Sequence, residues 1–291
     1  MIRTYNDLYL DIRRRLKAAE VEDINFEARL IVSTASGKSK EEFMRDAKLY
    51  APESVAEKAD ALTDRRIAGE PLAYVLGEWE FMGLPIQVES GVLIPRMDTE
   101  ILAELALKLL TGTVRNDMRV LDLCCGSGCI GISIAANLPS TRVILVDNSM
   151  KALRLSRANV LKNRVTKNVT VIESDARSAP PMLLGKFDVI VCNPPYVPTA
   201  EIPTLDGSVK DFEPREALDG GEDGLDFYRG IIPKWKNVLK PGGCMMFECG
   251  EGQAHEIEQM MRKAGFDGVA SYKDTAGTER VVAGIMTVEE Q

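Results

Sequence analysis

The residues whose types invite chemistry come after an apolar run, 189–192: Asn193, Pro194, Pro195 and Tyr196. Proline locks φ and lacks an N–H, so the pair cannot continue a sheet ladder. A strand terminator requires no more than that. The chemistry open to the quartet is hydrogen-bond acceptance. Asn193 offers a side-chain oxygen and Pro194 a carbonyl, and two rigid acceptors side by side suit a planar –NH2 group. Tyr196 can pack on such a group or on a cation, or serve as an ordinary packing aromatic.

A second constellation lies upstream in "RVLDLCCGSGCIG". Gly126, Gly128 and Gly131 match G-x-G-x-x-G, with Asp147 nineteen residues beyond Gly128. That spacing is the dinucleotide fingerprint, and it also occurs in tight strand-to-helix turns. Asp122 argues against a nicotinamide cofactor, because a carboxylate there would repel a pyrophosphate. S-adenosylmethionine fits better, having a sulfonium, an ammonium, a ribose diol and no phosphate. Asp122 would help neutralise the ammonium, directly or through water. Asp147 would accept the ribose hydroxyls, and Asp175 the adenine amine. With Asn193, these make four polar groups at successive strand ends, where open parallel sheets bind ligands.

The elements that must position these residues follow from periodicity. Residues 1–70 show only helical patterns, with stops at Gly37 and Gly69, and imply a small helical bundle. Residues 71–95 are rich in aromatic, β-branched and glycine residues and read as a hairpin linker. Beyond them, helical and strand patterns alternate. Strands are expected at 119–123, 142–147, 169–172, 187–192 and 244–248, and helices near 97–111, 129–137, 149–163, 226–239 and 251–264. The tail reads as two more strands, one of them antiparallel. The fold class is therefore α/β: a Rossmann-like, mostly parallel seven-stranded sheet with helices on both faces.

Composition narrows the function classes. Of 291 residues, 45% are hydrophobic and 27% charged, ordinary values for a soluble globular chain. No apolar run reaches the length of a membrane span, and "MIRTYNDLYLDIRRR" has no signal core. Cytoplasmic localisation is expected. Six cysteines without a CxxC pair and a single histidine, His255, argue against a zinc site. Neighbouring Cys124 and Cys125 suit a reducing compartment. Net charge is −8, and residues 201–226 alone carry nine acids against Lys210 and Arg215.

Taken together, these segments resemble a known family. Strand–Asp–loop–Gly-x-Gly, a ribose acid and NPPY resemble the class I methyltransferases that modify planar amino groups. "PLAYVLGEWEFMGLPIQV", "VLIPRMDTE", "CNPPYVP", "EPREALDGGEDGLDFYR", "PGGCMMFECGEGQ" and "KDTAGTERVV" are similar to the release-factor glutamine methyltransferases (HemK/PrmC family). The resemblance spans about 71–282. It implies methylation of the side-chain amide nitrogen of the glutamine in the GGQ motif of class 1 peptide chain release factors. It further implies Asn193, Pro194, Pro195 and Tyr196 as the substrate site. Cofactor contacts would come from Cys124, Cys125, Gly126, Ser127, Gly128, Asp147, Asp175, Ala176 and Asn193. It divides the chain into a substrate-recognition domain (1–70), a linker (71–95) and a methyltransferase domain (96–291). Cys124-Cys125 departs from the Gly-Thr or Cys-Thr of many members. Two acceptors would aim the amide nitrogen, a poor nucleophile, and most of the acceleration would come from orientation and preorganised electrostatics.

Three rivals share parts of this pattern. A nucleic-acid exocyclic-amine methyltransferase needs basic surface near its site, and the acidic 201–226 segment argues against direct nucleic-acid contact. A non-catalytic S-adenosylmethionine-binding protein and a nicotinamide oxidoreductase are the others. Oligomeric state is not encoded legibly.

Overall fold

The computed structural model describes residues 3–112 and 117–287, so the outermost residues of the 1–70 and 96–291 ranges lie outside the described residues. The chain forms two compact units. One comprises Met1–Glu78 with Gly207–Phe212, and the other Trp79–Asp206 with Glu213–Gln291.

The first unit is helical. Its main elements are α1 (Tyr5–Ala18), α2 (Ile24–Ser36), α3 (Lys40–Asp46), α4 (Glu53–Ile67) and α5 (Leu72–Leu76). Thr4 and Ser39 cap α1 and α3 in capping boxes with Asp7 and Glu42, which satisfies otherwise orphaned N–H donors. Gly37, at φ 70°, ends α2, as its place in the sequence implies. Leu8, Ile12, Leu16, Ile31, Val32 and Ala59 form the core. The stretch 71–95 thus opens as helix α5, and only β1 (Glu78–Phe81) and β2 (Leu84–Gln87) form the expected two-stranded sheet.

The second unit then alternates: α6 (Met97–Thr111), β3 (Arg119–Leu123), α7 (Cys129–Asn137), β4 (Arg142–Asp147), α8 (Met150–Lys162), β5 (Val169–Glu173) and β6 (Phe187–Cys192). After the short helix α9 (Gly207–Lys210), which belongs to the helical unit, come α10 (Asp226–Trp235), β7 (Leu239–Glu248), α11 (Ala254–Lys263), β8 (Phe266–Lys273) and β9 (Glu279–Met286). The seven strands run in the order β5-β4-β3-β6-β7-β9-β8. β5, β4, β3, β6 and β7 pair in parallel, and β9 is antiparallel to both neighbours. All six residues of β6 are buried, as a strand covered on both faces must be.

Two boundaries differ from expectation for identifiable reasons. Pro233 lies inside α10, where it removes a helical donor, and the chain passes into a 3-10 turn at Lys236–Val238 rather than remaining α-helical to 239. β7 begins at Leu239 rather than 244. Pro241-Gly242-Gly243 resembles a turn in sequence, but the strand accommodates it through a register shift opposite Phe187 and Val189.

The order reverses between β3 and β6. Leu123 is level with Val146 on one side and Cys192 on the other, and Cys192 is level with Phe247. The segments following β3, β4, β6 and β7 therefore emerge along one edge, at the switch point where such sheets hold ligands.

Candidate active site

The glycine loop begins where β3 stops. Cys124, Gly126 and Gly128 all have positive φ, 56°, 54° and 81°, so the backbone coils tightly before α7 starts at Cys129. Cys124 occupies a left-handed conformation that disfavours a side chain, which explains why glycine suits this position. Gly131 answers a different need. A Cβ there would strike Leu145 and Val143 of β4 and crowd the Asp122 carboxylate, so the third glycine lets α7 approach the sheet.

Asp122 lies beneath this loop. It is completely buried, and its Oδ2 accepts the Gly131 N–H at 2.8 Å, while Oδ1 has no hydrogen-bond partner. Burial pushes its pKa up to about 7, against the Gly131 N–H that pulls it down. Its side chain is absent from the cleft wall. The expectation of a direct Asp122–ammonium contact is therefore corrected: the carboxylate is sealed below the loop, and the charge argument against a dinucleotide does not run through it.

Asp147 is placed as the strand ends implied. It closes β4 and lines the cleft. Oδ2 accepts the Gly126 N–H and Oδ1 the Ser149 N–H, each at 2.9 Å. Each carboxylate oxygen has capacity for another donor. Burial raises its pKa, while the Ser149, Gly126 and Asn148 N–H groups oppose the rise. Asp175 and Ala176 also line the cleft. Asp175 Oδ1 accepts the Arg177 N–H at 2.8 Å, and the Ala176 carbonyl accepts from Trp235 Nε1 at 2.6 Å. The cleft measures about 1050 Å³, counted to its open mouth, and Cys124, Cys125, Gly126, Ser127, Asn193 and Pro195 complete this part of its wall. Gly128 stands behind the wall, shaping the turn.

The quartet after β6 is held from several directions. Asn193 Nδ2 donates to Thr99 Oγ1 at 3.3 Å. Pro194 and Pro195 are buried and Tyr196 half-buried. Tyr196 donates its hydroxyl to Glu248 Oε1 at 3.3 Å, and its carbonyl accepts from Gln253 Nε2 at 2.9 Å. The "ALDGGEDG" segment pairs against the same stretch: Val197 N–H donates to the Leu218 carbonyl and Gly220 N–H to the Val197 carbonyl. A Cβ on Gly220 or Gly224 would strike the Tyr196 backbone. These glycines permit close approach of two backbones. Pro194 and Tyr196 stand outside the cleft lining; Tyr196 packs on the main core.

A profile of the Methyltransferase small domain matches residues 99–204, and a PrmC N-terminal domain profile matches 7–77. The release factor glutamine methyltransferase of Clostridium botulinum is 37% identical over 276 residues, 95% of this chain and 97% of the relative. The chain belongs to the release factor glutamine methyltransferase family. The Geobacter sulfurreducens member is 40% identical over 91% of this chain and 90% of its own. Among solved structures, the hMettl16 catalytic domain (TM-score 0.56, 17% identity, covering 82% and 84% of the two chains) shares the fold. So does a methyltransferase from Pyrococcus furiosus, with TM-score 0.52 and 18% identity over 80% and 98%. Rossmann-like architecture and methyltransferase chemistry therefore stand together for this family member. No helix among its described residues is long and apolar enough to cross a membrane.

Three buried polar residues around the cleft were not singled out in the sequence. Glu213 is buried, pairs with Arg96 and accepts the Ile94 N–H at 3.3 Å. Burial raises its pKa even against the Arg96 charge. It anchors the strap 92–96, whose residues line the cleft. Thr99 and Glu248 are each 2% exposed. An acid at the end of "CMMFE" was the available signal for Glu248, since a carboxylate closing an apolar strand demands a partner.

Proposed function

We propose that this chain transfers a methyl group from S-adenosylmethionine to the side-chain amide nitrogen of the GGQ glutamine in class 1 peptide chain release factors. The observation that carries the reading is the orientation of Asn193. Its Nδ2 is engaged by Thr99, so Oδ1 is the end left to accept from the cleft. We assign the second acceptor to the carbonyl of Pro194, whose ring stands outside the cleft lining, so that the two would share the hydrogens of one planar –NH2 group. The amide nitrogen is thereby aimed rather than activated by a base, and preorganised acceptors of this kind act most strongly as positive charge develops.

The cleft suits the methyl donor. Asp147 retains acceptor capacity for a diol, and the loop from Cys124 to Gly128 exposes backbone rather than bulky side chains. Asp175 and Ala176 form the purine end of the assignment. When bound, S-adenosylmethionine supplies an electrophilic methyl group on a sulfonium. Residues 1–70 are assigned to recognition of the release factor, 71–95 to the linker and 96–291 to methyl transfer. The cytoplasm is the compartment that goes with this reading, and six free cysteines accord with it.

The test is incorporation of labelled methyl from S-adenosylmethionine into intact release factor, a release factor with Gln→Ala in GGQ, duplex DNA and ribosomal RNA. Label should enter only the unaltered release factor. Label in nucleic acid, with none in the protein, would transfer the assignment to exocyclic amines.

A further inference from the structure

The methyl donor has an amino-acid arm that the residues assigned so far do not meet. That arm carries an ammonium and a carboxylate, and charges taken into a cleft need partners. Asp122 is completely buried and absent from the cleft wall. Asp147 is engaged with the glycine loop and assigned to the ribose. Asp175 stands next to Ala176 at the purine end.

The charged side chains that remain on the wall are Arg96, Arg177 and Glu216. Arg177 belongs to the purine end. Its Nε lies 3.6 Å from Asp175 Oδ1, and its guanidinium sits 4.9 Å from the centre of the Phe227 ring. Arg96 belongs to the other end. Its carbonyl accepts the Thr99 N–H at 3.2 Å, and Thr99 in turn holds Asn193. The arginine therefore stands beside the place where the methyl group is handed over.

Glu213 controls what Arg96 can do. The Glu213 side chain is 1% exposed, that of Arg96 38%. One carboxylate oxygen accepts from Arg96 Nη2, and the other accepts the Ile94 N–H at 3.3 Å. The strap is thus gripped both at its backbone and at its guanidinium. A guanidinium presents several N–H donors in a rigid fork. Nε and Nη1 of Arg96 make no hydrogen bond with any described residue. A cation pinned on one side by a buried acid and open on the other can take a second carboxylate. Three residues beyond Glu213 comes Glu216, exposed in the 3-10 turn Arg215–Ala217. It has no ion-pair partner among the described residues.

We infer that Arg96 and Glu216 form a clamp for the amino-acid arm of the methyl donor. Arg96 takes the carboxylate and Glu216 the ammonium, while Glu213 is the positioning residue that keeps the Arg96 fork turned to the cleft. The clamp rests on the reading of this cleft as the S-adenosylmethionine site.

The experiment is calorimetric titration of the full chain with S-adenosylhomocysteine and three relatives: its analogue without the carboxylate, its analogue without the amino group, and 5′-methylthioadenosine, which lacks the arm. The wild type should bind S-adenosylhomocysteine at least about tenfold more tightly than methylthioadenosine. R96M should weaken S-adenosylhomocysteine on the order of 10- to 10²-fold, the scale of hydrogen bonds to a charged group. It should change affinity for the decarboxylated analogue less than about threefold. R96K keeps a charge for Glu213 without the fork, guards against misfolding of R96M, and should show the same selectivity. E216Q should weaken S-adenosylhomocysteine about threefold to fivefold, the scale of an exposed ion pair, and spare the analogue without the amino group. E213Q should lose part of the affinity and again spare the decarboxylated analogue; equal loss for both ligands would reduce Glu213 to a brace for the strap. Unchanged S-adenosylhomocysteine affinity in R96M or E216Q, or equal losses for the ligands with and without the matching charge, would overturn the clamp. Wild-type affinity equal for methylthioadenosine and S-adenosylhomocysteine would overturn it too, with the cofactor reading intact. Binding of neither ligand would sink the cofactor reading itself.

Discussion

Replacing Asp147 by alanine tests two roles of one carboxylate, and the structure separates them. In the cofactor-free protein its oxygens hold the Gly126 and Ser149 N–H groups at 2.9 Å each. Hydrogen bonds to a charged acceptor contribute about 1.5–3 kcal/mol each, and water at the cleft edge recovers part, so a net loss of about 2 kcal/mol is expected. For a domain of this size that lowers Tm by about 4–8 °C. Binding is a separate quantity. Two ribose hydroxyls losing a charged acceptor, at about 1.5 kcal/mol each, forfeit about 3 kcal/mol, or about 10²-fold in Kd. Thermal melting without ligand reads the first role, and calorimetric titration with S-adenosylhomocysteine the second. A lowered Tm with unchanged affinity would show that Asp147 only braces the glycine loop, and the ribose assignment would be lost.

Asn193→Ala should lower kcat on the order of 10²-fold while leaving S-adenosylhomocysteine affinity intact, by the scale for removing one preorganised polar group; single-turnover methylation and calorimetry together check it. Asp122 gives a pH signature. Its folded pKa of about 7 lies above the usual 3.8, so its favourable contribution is full below pH 3.8 and is lost as pH rises towards 7. Glu248, also raised to about 7, adds a second loss of the same sign. Asp122→Asn should therefore remove about half of the combined slope at about 1.4 kcal/mol per unit for each group. Urea midpoints from pH 5.5 to 7.5 measure this, and an unaltered slope would contradict it. Reversing charge at exposed Glu201, Asp206 and Asp211 should slow association with a basic release factor and flatten its salt dependence. A short neutral glutamine peptide should respond much less; an unchanged salt slope of kcat/KM for the intact factor would exclude steering. The rest of that acidic segment is partly committed elsewhere: Glu213 to Arg96, Asp219 to Arg215, and Asp223 and Asp226 to Arg229.

The sequence located the strand ends well because each apolar run stops at a residue that cannot extend it: Asp147, Asn193, or the coil after Leu123. It did not show where Asp122 points. In β3 the four residues from Val120 to Leu123 are all buried, so the usual alternation that distinguishes an inner from an outer face is missing. Placement on the sheet edge was legible, but depth beneath the loop was not. Glu213 was hidden for another reason. The acids nearest to it in sequence, Asp211 and Glu216, are exposed, while the arginine that justifies its burial lies 117 residues away. Thr99 looked like an ordinary residue of a helix's first turn; only the fold brings its hydroxyl to Asn193.

β9 lies between β7 and β8 although it is the last of the three in the chain. During vectorial synthesis β8 emerges first and has no place to pair with β7, because the strand that joins them does not yet exist. Until Val281–Ile285 arrives opposite Cys244–Glu248, the growing sheet ends in an open apolar edge, the kind of surface that recruits foreign strands. The half of the site built on β3 and β4 can be shaped well before that moment. The end of β7 at Glu248 is completed only when β9 pairs with it.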